Sequence, residues 1–291
     1  MKIRNIGKYI KFSLLFIVGA MTLILGGCSS RNVIKEYKIS DNISSISVKA
    51  NTANITFAPS SEDCISIVSE EKEHIYHSVK VEGDTLEIER VDERKWYQRI
   101  VSFSNSLNLT VYLPSNEYSA LLINGSTGNV NINCDARFSG LDVKVSTGNI
   151  SIIGTSYASL KAEATTGNIS ISNVSCTNDI SIDVSTGNVN LGNISCQNLS
   201  VNGTTGDLSL TNAVIVGKLD LRASTGNVTL DGCDGGEIYI ETSTGRVSGT
   251  LLSPKIFIGN STTGKRSLPK TTTGGICEIN TTTGNVNISI K

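Results

Sequence analysis

The sequence predicts an all-β protein: a single-chain β-solenoid (β-helix) of 19–20 residues per rung, preceded by an antiparallel β cap. Two observations carry that expectation. Thr-Gly-Asn and its close variants recur down the chain, with glycines at Gly128, Gly148, Gly167, Gly187, Gly206, Gly226, Gly245, Gly264 and Gly284. A fixed period of this size marks a stacked array, not a compact globule. The composition agrees, because aromatic content is only 5% while Ile, Val, Leu, Ser, Thr, Asn and 27 glycines dominate. That is the vocabulary of strands and turns.

Alignment on the glycines exposes apolar columns. Seven residues before the marker stand Leu121, Leu141, Leu160, Ile180, Leu199, Leu219, Ile238 and Cys277. Five before it stand Ile123, Val143, Ala162, Ile182, Val201, Leu221, Ile240 and Ile279. Pairs such as Ile150/Ile152 and Ile169/Ile171 follow it, alternating with polar residues, so strands with one inward face lie on both sides. Glycine suits the corner between them because it tolerates positive φ. The Asn or Asp that usually follows can close the turn or stack as a ladder. Tyr157, Cys176, Cys196 and Ile215, with Phe138 displaced by one, suggest a third, shorter face. A lone rung orders its whole backbone to bury a handful of small side chains, so neighbours must cover its two open faces. At about 4.8 Å per rung, nine corners imply a rod of roughly 40 Å. The array degrades near its ends: Gly264 lacks its Asn, and Thr271–Gly275 breaks the spacing.

The chain divides into four stretches. Residues 1–27 read as a lipoprotein signal peptide: Lys2, Arg4, Lys8 and Lys11 precede an apolar run, Phe12–Leu25, too short for a membrane span. Leu25-Gly26-Gly27-Cys28 then has the form of a bacterial lipobox, with Cys28 as the lipidated residue. Residues 28–36 form a short tether, 37–118 an antiparallel β-strand cap continuous with the rod, and 119–291 the solenoid repeats. Loss of the signal leaves 21 basic residues against 26 acidic ones. Nothing basic remains to attract nucleic acid. The lipid is expected to hold the body at the extracytoplasmic face of a bacterial membrane.

Chemistry is sparse. No CxxC spacing supports zinc, and no GxSxG, HExxH or phosphate-binding loop occurs, so no catalytic residue, metal or cofactor is expected. His74 and His77 lie in an acidic segment that reads as solvated surface. Cys176 and Cys196 fall in one column on adjacent rungs, where either a buried thiol ladder or a disulfide fits. Arg94-Lys95-Trp96-Tyr97-Gln98-Arg99 holds the only Trp. Arg94, Trp96, Tyr97 and Arg99 are the candidate partner contact; the plainer reading packs the Trp on the cap. Threonines at a turn, not on a flat strand face, argue against ice binding and for satisfied turn amides.

The corner Ser-Thr-Gly-Asn-Val, the stretch Leu109-Thr110-Val111-Tyr112-Leu113-Pro114, and the closing Thr271-Thr272-Thr273-Gly274-Gly275 through Thr282-Thr283-Gly284-Asn285-Val286 resemble the bacterial putative-adhesin family. The likeness runs from Ile39 to Lys291. It implies an extracytoplasmic β-solenoid of unknown function, often lipid- or membrane-tethered, with no established catalytic residues to carry over. The expected role is therefore a non-enzymatic, lipid-anchored envelope protein that presents a binding surface to a protein or a cell-wall polymer. A regulatory module docking on a membrane protein is the alternative. A polysaccharide-cleaving β-helix enzyme is disfavoured, because outward positions are mostly Ser, Thr and Asn instead of clustered carboxylates.

Overall fold

The computed structural model describes residues 32–97, 107–154 and 156–291. Strands form a parallel β-solenoid through the repeat region. The rung Ser156–Thr166 and Ile169–Cys176 stacks on Asp179–Thr186 and Val189–Cys196, pairing Leu160 with Ile180, Ala162 with Ile182 and Ile169 with Val189. Every like position thus lies over its like. The predicted apolar columns are buried and merge into one continuous core. On the third face Tyr118, Phe138 and Tyr157 stack, with ring centroids 5.3 and 6.2 Å apart, and Cys176, Cys196 and Ile215 continue the column.

The corners explain the glycines. Gly128, Gly148, Gly167, Gly187, Gly206, Gly226 and Gly284 have φ between 130° and 153°. A Cβ on Gly167 would overlap the carbonyl oxygen of Gly148 one rung below. Backbone geometry and close stacking therefore both demand glycine. The following Asn side chain ties the rungs together: Asn149 Oδ1 accepts the Asn168 amide at 2.8 Å, and Asn168 Oδ1 accepts that of Asn188 at 2.8 Å. Asp207 continues the ladder, accepting the Asn227 amide at 2.7 Å. A second corner sits six residues after the markers Gly148, Gly167, Gly187, Gly206 and Gly226. There Asn173, Asn193 and Asn212 adopt φ of 57°, 52° and 51°, in line with Gly154 and Gly232. Asn is the non-glycine residue that best tolerates this left-handed region. Its amides also join: Asn193 Nδ2 donates to Asn173 Oδ1 at 2.9 Å, and Asn212 Nδ2 to Asn193 Oδ1 at 3.0 Å.

The C-terminal end departs from sequence order. Strand Ile276–Thr283 pairs on one side with Val228–Thr244 and on the other with Ile256–Thr263. Likewise Val286–Ile290 lies between Val247–Leu251 and Arg266–Ser267. The last rung in the chain is thus inserted beneath the preceding one. The degenerate rung carrying Gly264 forms the physical end of the rod, and the irregular Thr271–Gly275 is the return connection. Arg266 Nη1 donates to the Gly259 carbonyl at 2.6 Å on this end rung.

At the other end, parallel stacking reaches back to Ser45–Pro59, which pairs with Glu117–Thr127 and Val130–Ile132. Its corner reads Asn51-Thr52-Ala53-Asn54, with alanine where later rungs use glycine, and Asn54 Oδ1 begins the ladder by accepting the Asn129 amide at 3.1 Å. Two antiparallel groups then close the end. Val33–Ile39, Ile65–Glu71 and Leu107–Leu113 cover one half of that rung, while Ile75–Glu82 and Thr85–Asp92 cover the other.

Candidate functional site

The residues four and two places before each marker glycine both point outward, about 7 Å apart along the strand. Stacking turns them into two walls. One wall runs Lys144, Glu163, Asp183, Asn202, Arg222, Glu241, and the other is a column of Ser and Thr from Ser146 to Ser243. The floor is the small-residue backbone of Val145, Ala164, Val184, Gly203 and Ala223. Together they enclose a shallow groove of about 500 Å³ parallel to the rod axis. A smaller hollow at Lys49, Leu122, Asn124 and Asp142 shares Lys144 and extends it toward the cap.

Polar contacts join several neighbouring rungs along the groove. Lys144 pairs with Glu163 at 2.8 Å, Asn202 Nδ2 donates to Asp183 at 3.0 Å, and Arg222 meets Glu241 at 3.5 Å. Hydrogen bonds from Lys144 and Lys161 hold the Glu163 carboxyl below its usual range. Partial burial opposes ionisation of Asp220, yet hydrogen bonds from Arg222 and Lys218 prevail and lower its pKa. Arg222 and Lys218 also lie over the Tyr239 ring, 4.8 and 5.5 Å from its centroid. The groove wall offers hydrogen-bond donors and acceptors at the rung repeat.

His77 corrects the expectation of a solvated pair. His74 is exposed, but His77 points inward from Ile75–Glu82 and is 1% exposed. Its Nδ1 lies 2.8 Å from Ser69 Oγ, and Ser69 Oγ is 3.4 Å from Glu71 Oε1. Tyr37 donates to the same carboxylate at 3.0 Å, and Lys35 forms an ion pair with it. Burial, reinforced by the Arg90 charge, pushes the His77 pKa down to about 4. Serine, histidine and glutamate are the ingredients of a nucleophilic site, but the carboxylate sits beside the serine and does not orient the ring, and the serine is fully buried. The cluster fastens the cap.

Of the predicted contact residues, Trp96 and Tyr97 project into solvent, 73% and 49% exposed, with rings edge to face at 6.0 Å. The Trp does not pack on the cap. Arg94 is turned back onto Asp92, with bonds of 2.9 and 2.7 Å that hold the Asp92 pKa near 2. Arg99 and Cys28 lie outside the described residues. Cys176 and Cys196 are free, buried thiols, and burial raises both pKa values to about 12. Among the described residues, no group of His, Cys, Asp and Glu is placed to hold a metal, and no helix is long and apolar enough to cross a membrane.

A parallel β-solenoid with small-residue corners, capped by antiparallel strands, is the class of protein these features define. The chain belongs to the Toastrack DUF4097 family, whose model matches residues 43–289. Among solved structures it is similar to a putative adhesin from Bacteroides fragilis NCTC 9343, with a TM-score of 0.50 and 13% identity over 90% of this chain and 98% of that one. A putative adhesin and a putative lipid binding protein, both from Parabacteroides distasonis ATCC 8503, match at TM-scores of 0.48 and 0.47 and identities of 10% and 14%. Each covers 89% of this chain, and 97% and 96% of their own. No curated protein matches the chain.

Proposed function

We propose that this protein is a non-enzymatic envelope rod, anchored outside the cytoplasm through lipid on Cys28, that holds an extended polymer along its corner groove. The groove is the observation that carries the reading: it crosses successive rungs, stays shallow, and sets a hydroxyl column beside a column of polar and charged side chains at the rung spacing. Such a surface gains affinity by many weak contacts in series, as a cell-wall glycan strand would supply.

The test uses the Cys28→Ala chain and insoluble cell-wall polymer. Combined Glu163→Gln, Asp183→Asn and Arg222→Gln replacement should reduce retention roughly tenfold by removing several contacts at once. Unchanged retention would refute the groove. Cys28→Ala should itself release the protein into the medium, and full membrane retention would refute lipidation. The exposure of Trp96 and Tyr97 favours a second reading, docking on a membrane protein through Arg94, Trp96, Tyr97 and Arg99. Crosslinking in the native envelope, lost in Trp96→Ala and Arg99→Ala, would favour it.

A further inference from the structure

We infer that the Trp96–Tyr97 turn is a foot that enters the headgroup region of the bilayer and sets the orientation of the rod. This rests on lipidation of Cys28. Four observations lead to it.

The turn lies at the corner of the cap where the tether arrives. Val33, the first residue of its strand, pairs with Glu71, and the hairpin that follows pairs Ile75 with Asp92. Contacts link the two places directly. Lys35 lies over the Tyr76 ring, 5.9 Å from its centroid, and Tyr76 donates to Glu93 at 2.9 Å. Trp96 follows three residues after Glu93.

The tether is short. Four residues separate Cys28 from Val33, so the five steps between them, even fully extended, span only about 18 Å. A lipid on Cys28 would hold this corner, and not the far end of the rod, against the membrane surface.

The side chains suit that depth. Trp and Tyr pair an apolar ring with one polar group, and both concentrate where lipid meets water. Here they are the neighbouring exposed aromatics of one turn, on a chain whose only Trp is Trp96.

Charge alone does not supply the contact. The chain beyond the signal carries 21 basic against 26 acidic residues, and Arg94 is engaged by Asp92 instead of facing outward. Lys95, exposed beside the rings, adds a salt-screened attraction, but the rings do the inserting, so burial of Trp96 should resist salt.

Trp96 is its own reporter. The full chain is purified with its lipid and reconstituted into vesicles of phosphatidylethanolamine and phosphatidylglycerol, with or without acyl chains brominated near the headgroup. Trp96 emission should shift to the blue, lose access to acrylamide, and be quenched roughly twofold by the brominated lipid, at low and high salt alike. Tyr97→Ser should weaken the quenching while vesicle association persists. A Cys28 lipid adduct by mass, with Trp96 as accessible as in soluble Cys28→Ala protein, overturns the foot and leaves the anchor standing. Unmodified Cys28 overturns both. Burial of Trp96 only when membrane proteins are co-reconstituted would assign the turn to a protein partner and overturn the lipid contact.

Discussion

The corner glycine joins two constraints that most residues meet separately. Its φ lies where side chains are strained, and its α-carbon faces the carbonyl of the glycine below. Gly167→Ala should therefore cost about 3 kcal/mol or more in urea unfolding. Gly192→Ala, in an ordinary strand position with nothing within 4 Å of an added Cβ, should change stability by less than about 0.5 kcal/mol. Equal effects would mean that the corner is no special site. The marker and its columns were legible because each rung repeats the same demand at the same place. The second corner recurs six residues on through the five middle rungs, but uses Asn or Gly interchangeably and so lacks a single letter to follow. Ala53 hid the first rung in the same way. His77 was misread as surface, although Ile75, His77, Val79 and Val81 alternate as an inward strand face; the surrounding acids masked that period.

Between the residue and the rod stands the rung, and one rung is out of order. Spacing along a chain records contour, not spatial sequence, so the insertion of Ile276–Ile290 between earlier strands could not be read from the repeat. The break at Thr271–Gly275 announced an irregularity without its nature. The consequence is testable. Deletion of residues 270–291 should remove an internal layer, leaving Ile256–Thr263 without the strand it pairs with. Hydrogen exchange should then find residues 256–267 unprotected and Val247–Leu251 frayed. A simple stack would lose only its outermost layer, and retained protection at 256–267 would show that the order is sequential after all. The groove was foreshadowed by polar outward positions, but its walls depend on two columns lying side by side, which only stacking reveals.

At the scale of the whole molecule, stability depends on closing both ends, and the cap closes one of them with a buried neutral imidazole. An unfolded histidine titrates near 6.5, whereas folded His77 titrates at about 4. Between those values the unfolded chain binds a proton that the folded chain refuses, so acid favours unfolding. The contribution is complete above pH 6.5 and lost as pH falls to about 4, on the order of 3 kcal/mol. His77→Gln should flatten the unfolding free energy across that window, whatever it does to the plateau. An unchanged slope would place the titrating group elsewhere. Asp92, whose pKa is near 2, acts only at still lower pH.

The out-of-order layer also constrains how the molecule is made. A solenoid synthesised from its N-terminus could wind itself progressively, each coil settling as it emerges. Here the seat of the outermost coil is supplied by residues translated after it. Residues 256–267 must wait, unpaired, until residues 276–290 arrive. A prematurely terminated polypeptide would therefore leave residues 256–267 without the strands they pair with and exposed to proteases.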